Sequence, residues 1–343
     1  MRLHTIFSAM AIIPALFAQA NKNPFFPQGN ILPDGKDPAT YLAPAGTQVK
    51  TSWDLHVDGS FIYWYTGQDA MDLAYSAPKE LGGAPGNVIY PNFGYKPGFK
   101  LGLGFDTNYD DWSFDANWTW LHQSENSLAS SGAGFSAANW FVNPVEGLFG
   151  YVGSIWGMHL DIVDVCVGRP YYEGKRIVVS PSGGFRVMTL HQGLSIQMGS
   201  SFVGDAPAVF YGHSHSWAVG PKAGINAKWF VWKGLNVDGL FGASVLYTRF
   251  VSLNATQAQT SQVTSSSADV GAIKPVLDMG VGLGYGAYAF KDKFYFDIAA
   301  RYDFSQYWSQ NVLRNYVSQL SGGSGAIGDL YTHGLTLDLR VAF

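Results

Sequence analysis

Hydrophobic and polar side chains alternate strictly over residues 335–343, at the C-terminus of the chain. Leucine, valine or phenylalanine occupies every odd position, while Thr336, Asp338, Arg340 and Ala342 stand between them. Successive side chains of a β-strand point to opposite faces, so this segment predicts a strand with one apolar and one polar face. Such a strand fits a barrel wall between hydrocarbon and water, and on its own it fits a half-buried strand of a soluble sandwich equally well.

The same period of two recurs in nine earlier segments, which gives ten predicted strands. Counted back from the C-terminal one, they cover residues 293–303, 277–286, 235–247, 217–229, 177–189, 155–167, 112–120, 99–105 and 53–65. Short connections at 108–111, 168–174, 231–234 and 291–292 alternate with long ones at 67–92, 123–153, 191–216, 252–271 and 308–329. Outer-membrane barrels alternate short periplasmic turns with long external loops in this way. The chain therefore predicts an all-β protein, an antiparallel transmembrane β-barrel of about ten strands, or twelve and more if residues 71–76 and 194–199 also cross the membrane.

The N-terminus has the form of an export signal. Arg2 precedes an apolar run at residues 6–17, and Ala18-Gln19-Ala20 has the small-x-small pattern of a cleavage site. No later segment supplies the roughly twenty apolar residues that a transmembrane helix needs. We therefore expect a signal peptide at residues 1–20, a periplasmic or lumen segment at 21–47 and the barrel at 48–343.

Composition agrees with an exported barrel. Charged residues make up 13% and aromatic residues 15% of the chain, against roughly 25% charged residues in ordinary soluble domains. Tryptophan and tyrosine near many predicted strand ends indicate the two aromatic girdles of a membrane barrel. A net charge of −4 gives no basic surface for nucleic acid, and Cys166 is a lone cysteine, so no intramolecular disulfide can form.

The strand face opposite the apolar one carries charges of both signs. Buried charges of this density need water or a partner across the lumen, because an isolated buried charge is severely destabilising. The predicted lumen-lining residues are Asp54, Asp58, Lys100, Asp106, Asp115, Arg186, Lys222, Lys228, Asp238, Lys274, Asp278, Asp297, Arg301, Asp303, Asp338 and Arg340. Interspersed signs largely cancel, and the small acidic excess predicts a weak preference for cations. A barrel plugged by its own salt bridges is the alternative.

Four segments resemble a known family: residues 160–192, 217–247, 296–311 and 329–343. They are similar to the MOMP-like outer-membrane porins of environmental chlamydiae and to the related Legionella outer-membrane porin family. The resemblance implies a porin of the bacterial outer membrane that admits small hydrophilic solutes and ions by passive diffusion. The terminal Phe343 resembles the assembly signal of such barrels, which implies contact with the barrel assembly machinery as well as with outer-membrane lipid. A closed structural or adhesive barrel, whose external loops bind partners, is the second hypothesis.

Enzyme and metal signatures are weak. Residues 323–328 match GxGxxG, but no strand leads into them and no helical period follows. His213 and His215 flank one residue in a predicted loop and could hold a metal, yet no third ligand lies near them in the sequence. The other histidines (His56, His122, His159, His191) are scattered over separate strands and are interpreted as polar wall residues. We therefore expect no catalytic residue, cofactor or metal site.

The Ser/Thr/Gln-rich segment at residues 252–269 is predicted to be a mobile, solvated external loop. Such a loop could present an adhesive surface. Solute preference and self-association into homo-oligomers stay open at this point, because a wall pattern carries no information on either.

Overall fold

The computed structural model describes residues 43–45, 47, 49, 54–76, 87–107, 112–137, 140–141, 149–173, 176–199, 207–232, 234–259, 262–320, 322, 325 and 327–343. The predicted signal peptide at residues 1–20 and most of the predicted segment at 21–47 lie outside these residues. Among the described residues, no helix is long and apolar enough to cross a membrane.

The described chain is almost entirely β-structure. In chain order its strands are β1 (Ala43–Pro44), β2 (Leu55–Gln68), β3 (Ala74–Ser76), β4 (Val88–Ile89), β5 (Tyr95–Asp106), β6 (Ser113–Ala137), β7 (Phe149–Gly168), β8 (Tyr171–Glu173), β9 (Ile177–Gly199), β10 (Ala208–Trp232), β11 (Leu235–Gln259), β12 (Gln262–Ala289), β13 (Phe294–Asn311) and β14 (Gly328–Ala342). One short helix, α1 (Val312–Leu320), lies between β13 and β14.

Ten of these strands close into a barrel. Each pairs antiparallel with its neighbours in the order β2, β5, β6, β7, β9, β10, β11, β12, β13 and β14, and β14 pairs back onto β2 from Leu330↔Gln68 to Ala342↔His56. At the seam, the Phe343 N–H donates to the Leu55 carbonyl at 3.0 Å. The predicted ten-stranded antiparallel barrel is thus confirmed, and the short strands β1, β3, β4 and β8 stand outside its wall.

The strands extend much further than the sequence pattern indicated. Residues 252–269, predicted to be a mobile loop, form a paired hairpin of β11 and β12 from Leu253↔Ala268 to Gln259↔Gln262. The prediction of a loop was therefore wrong. The polar composition hid the strands, since β11 is held from its other side by β10 (Val209↔Ala258) and its Leu253 is buried beside α1. Cross-strand neighbours decide β-structure more than local propensity does.

Residues 194–199 belong to the same set of extensions. They prolong β9, and β10 returns from Ala208, so this pair adds no membrane crossing. Residues 74–76 form the short β3, which pairs with β6 outside the wall.

The two faces of the wall differ as the alternation requires. Outward-pointing apolar residues are exposed, with Val281 at 61% and Leu339 at 45% accessible, while their neighbours in sequence point inward and are mostly buried. A barrel with this apolar outer band matches the hydrocarbon layer of a membrane. Most charged side chains of the wall therefore lie on the inner face.

Candidate functional site

The inner face of the barrel near the chain termini and the short turns carries a set of acidic and basic side chains that we call the charged belt. Each comes from a strand position that faces inward by alternation. The belt consists of His56, Asp58, Lys100, Asp106, Asp115, Asp164, Arg186, Lys222, Lys228, Asp238, Asp278, Asp297, Arg301, Asp303, Asp338 and Arg340.

The first group of the belt surrounds His56, which is 2% exposed. Its Nε2 atom lies 2.8 Å from Asp115 Oδ1, and its Nδ1 atom lies 3.7 Å from Asp106 Oδ2. The Arg340 guanidinium donates two hydrogen bonds to the Asp58 carboxylate, from Nε at 2.5 Å and from Nη2 at 3.2 Å. The ligand atoms of His56, Asp58 and Asp115 lie within 4.8 Å of one another, as in a metal site. However, the Arg340 guanidinium already supplies positive charge there, so a metal would have to compete with it.

Glycines on β5 make room for this group. A Cβ on Gly104 would lie 2.2 Å from His56 Nε2, and one on Gly102 would lie 2.4 Å from Asn117 Oδ1. These inward-facing glycines therefore accommodate neighbouring side chains. Glycine is required because the polar groups pack directly against the β5 backbone.

The second group of the belt is centred on Arg301. Its Nε donates to Asp303 Oδ1 at 2.6 Å, and its Nη1 lies 3.1 Å from both Asp238 Oδ2 and Asp338 Oδ2. Lys100 approaches the other Asp303 oxygen at 3.1 Å. One guanidinium thus holds carboxylates from three strands, and a single second base helps to neutralise them.

The third group joins β7, β9, β10 and β12. Arg186 donates to Asp164 at 2.7 and 2.9 Å and lies 2.8 Å from Asp278, while Lys222 reaches Asp164 at 2.6 Å. Asp164 was not among the predicted lumen residues, because the alternation on β7 is less regular. The signal was nevertheless present, since Asp164 stands between Val163 and Val165, and both of those valines are exposed on the outer face.

The remaining predicted residues lie at different depths. Lys228 forms an ion pair with Asp297. Lys274 lies towards the other end of the barrel, where its Nζ donates to the Ser309 carbonyl at 2.5 Å. Asp54 precedes β2 with a positive φ of 56°, and its carbonyl accepts from the Asp106 N–H at 2.7 Å. Asp54 thus stands at the rim next to the first group. Whether any of these side chains lines a conducting path stays a prediction.

Above the belt, the inner face becomes apolar, and we call this region the apolar layer. Leu121, Leu160 and Leu190 are successive cross-strand partners on β6, β7 and β9, each at most 2% exposed. The layer comprises Ile62, Trp64, Leu121, Leu160, Leu190, Leu246, Val276 and Tyr307. The sequence analysis missed this layer because it sorted inward positions by their charges alone, although the apolar residues share the same parity.

A cap of external residues lies over the apolar layer. Arg314 of α1 donates to the Asp72 carboxylate at 2.8 Å, and its guanidinium lies 4.7 Å from the centre of the Trp140 ring. The Trp140 Nε1–H in turn donates to the Asp72 carbonyl at 2.7 Å. Tyr75 donates its hydroxyl to the Asp72 carboxylate at 2.7 Å, and this bond raises the pKa of Tyr75 to about 12. A cavity of about 10 Å³ remains beneath the cap, lined by residues that include Met71, Trp140 and Leu313. This volume holds at most about one water.

Among the described residues, the inner face is thus charged towards the short turns and apolar towards the external end. The Arg340 side chain is 44% exposed and that of Lys228 is 32% exposed, whereas the apolar layer has almost no accessible surface. At the short-turn end, Tyr172, Phe230, Tyr288 and Tyr295 are also buried, and Ala45 and Val49 of the N-terminal segment pack against them. Passage through the barrel requires side chains of the apolar layer and cap to move.

Comparison with protein families gives one match that spans the barrel. The family described as Legionella pneumophila major outer membrane protein precursor matches residues 47–343. No curated protein matches the chain.

Solved structures with a similar shape are outer-membrane barrels of several kinds. The outer membrane protease OmpT from Escherichia coli is 12% identical with a TM-score of 0.49, covering 85% of this chain and 98% of that one. The attachment invasion locus protein Ail of Yersinia pestis is 10% identical with a TM-score of 0.24, covering 83% and 97%. A FadL homologue from Pseudomonas aeruginosa is 8% identical with a TM-score of 0.27, covering 92% and 95%. Likeness at this level does not choose between their activities.

Proposed function

Since the chain belongs to the Legionella pneumophila major outer membrane protein family and is an outer-membrane β-barrel, we propose that it is a porin for passive diffusion of small hydrophilic solutes and ions. The role is non-enzymatic, and no cofactor takes part. The charged belt is the observation that carries the proposal. A lumen that only had to be filled would be at least as stable with apolar residues, because buried ion pairs rarely surpass hydrophobic packing in stability. Retained, partly exposed charges therefore support an aqueous route.

The arrangement of the belt supports a weak preference for cations. Arg186, Arg301 and Arg340 each lie among carboxylates instead of forming a basic ring. A strongly selective filter would need a ring of one sign. In the charged belt, positive and negative side chains lie within a few ångströms of one another, so their electric fields nearly cancel at a permeating ion. The small excess of carboxylates leaves a weak attraction for cations.

The apolar layer sets the limit on conductance. Eight-stranded barrels are filled by side chains and sixteen-stranded barrels are open, so a ten-stranded wall leaves a narrow interior. We expect conductance well below that of a sixteen-stranded porin, and we expect it to depend on motion of Leu160, Leu190 and their neighbours.

A closed structural barrel is the second candidate, and the buried apolar layer together with the cap favours it. In that case the belt would only stabilise the barrel, and the external hairpins would carry the function by contacting partners.

Single-channel recording in planar bilayers separates the two candidates. The wild-type barrel should give small conductance steps, and the variant Leu160→Ala/Leu190→Ala should give larger ones because it removes bulk from adjacent strands of the layer. The matched control, Leu101→Ala/Leu103→Ala, removes the same bulk from the outer face, where both leucines are exposed, and should conduct like the wild type. Folding of each is checked by its altered gel mobility before boiling. Folded protein that stays silent, with or without the inner substitutions, would establish the closed barrel instead.

A further inference from the structure

Four histidines that are far apart in sequence form one row on the outer surface of the barrel. His122 on β6 is the Cα partner of His159 on β7, His159 of His191 on β9, and His191 of His215 on β10. All four point outward by the alternation of their strands. We call them the histidine row.

The imidazole rings of the row are in contact in pairs. The rings of His122 and His159 are 4.1 Å apart with an interplanar angle of 6°, and those of His191 and His215 are 3.7 Å apart at 21°. His213 lies two residues before His215 on the same strand and the same face. The prediction that His213 and His215 lie in a loop was wrong, because both belong to β10. Pairing with β9 also places His191 beside His215.

The surroundings of the row favour a cation over an anion. On the described parts of β6, β7, β9 and β10, the charged side chain that points outward is Asp161, which lies 3.3 Å from His122 Nε2. A phosphate or carboxylate site would require lysine or arginine at this height, and none faces outward on these parts of the four strands. Arg249 faces outward on the adjoining β11, opposite Trp217, but its guanidinium is bound by Asp269 at 2.7 and 3.3 Å, which neutralises its charge. Within the described part of the chain, the rings of His159, His191 and His215 stack on a neighbouring histidine. No hydrogen-bond partner is present among the described residues for these three rings or for the ring of His213.

We propose that His191, His213 and His215 form a binding site for one divalent transition-metal ion of the zinc, copper and nickel class, with His159 next to it. Imidazole nitrogen is a preferred ligand of these ions. Cross-strand partners have Cβ atoms about 4.5–5.5 Å apart, and diagonal neighbours are about 7–8 Å apart, within reach of long side chains. Unlike those of the His56 cluster, the ring nitrogens of these three histidines do not all lie within 4.8 Å of one another as they stand. Binding of one ion would therefore require the rings to leave their stacked orientation by rotating about their side-chain bonds, while the strands stay in place.

The position of the site sets its access. The row is adjacent to Trp217 and Tyr247, aromatic residues on the outer face at the external end of the apolar band. The ion therefore arrives from outside the cell, at the level of the lipid headgroups, and does not pass through the lumen. The site is independent of the proposed porin function.

Isothermal titration of the whole folded barrel in detergent with zinc chloride tests the proposal, together with retention of untagged protein on a nickel-charged resin. The wild type should bind zinc saturably and stay on the resin. His191→Gln and His215→Gln should each weaken zinc binding by at least about tenfold, since loss even of groups that only orient metal ligands has effects of that size.

Two control variants, each lacking one histidine outside the proposed site, test whether zinc binding depends on the histidine row. His333→Gln removes an outward histidine that lies among Tyr65 and Tyr302 without another histidine nearby, and it should bind zinc like the wild type. His56→Gln removes the histidine of the inner cluster and should also leave binding unchanged. Loss of zinc binding only in His56→Gln would place the metal inside the barrel and overturn the proposal. Equal zinc binding by the wild type and His191→Gln, or no saturable binding at all, would also overturn it. So would binding of anionic-lipid vesicles that depends on His191 without any zinc binding.

Discussion

Replacing Arg301 by glutamine should strongly destabilise the barrel. The guanidinium contacts Asp303 at 2.6 Å and both Asp238 and Asp338 at 3.1 Å. Glutamine retains a hydrogen-bond donor but removes the positive charge, so three carboxylates on three strands remain close together. They would then repel one another across a partly dehydrated lumen.

The contacts of Arg301 set the size of the effect. Removing one partner of a buried ion pair typically destabilises a protein by about 3–5 kcal/mol. Lys100 still lies 3.1 Å from Asp303 and neutralises part of the charge, so we expect the lower end of this range, about 3 kcal/mol. That is more than about a hundredfold in the folding equilibrium.

Urea unfolding of the refolded barrel in lipid vesicles, followed by tryptophan fluorescence, measures this loss. The variant Arg301→Gln/Asp238→Asn/Asp338→Asn should recover much of the stability, since it also removes the two carboxylate charges that the loss of Arg301 leaves without a basic partner. Arg249→Gln is the matched control, because it breaks an ion pair with Asp269 in which both partners are about half exposed, and it should leave the midpoint unchanged. A midpoint for Arg301→Gln equal to that of the wild type would refute the reasoning and show that lumen water solvates the carboxylates fully.

Three further predictions address the lipid face, assembly and selectivity. Val281→Arg should lower the unfolding free energy by about 2–4 kcal/mol because it places a charge in lipid, whereas Val281→Leu should not; equal urea midpoints for the two would contradict the outer-face assignment. Deleting Phe343 should reduce the amount of folded, heat-modifiable protein in the outer membrane, since it removes the backbone bonds to Leu55 and the proposed assembly signal; wild-type levels would mean that neither matters. Changing both Arg301 and Arg340 to glutamine should strengthen cation preference in the folded fraction, and a reversal potential unchanged in a salt gradient would show that these residues lie off the conducting path.

The sequence alone was sufficient to predict the barrel, its ten strands and its two faces. A period of two is a local property, since each side chain points opposite to its neighbour whatever the strand pairs with. Residues such as Val281, Leu339 and Asp303 therefore reveal their faces without knowledge of their partners. The alternation of short and long connections similarly orders the strands along the wall.

Tertiary structure decided everything that depends on which strands are neighbours. The polar segment at 252–269 became a hairpin because β10 pairs with it, and α1 could not be inferred from a connection defined only by its length. Arg301 has its three acidic partners because β11, β13 and β14 converge in the closed wall. The histidine row likewise exists only through register, which places residues up to 93 positions apart at one height. Closure and register are properties of the whole sheet, and a pattern that repeats every two residues carries no record of either.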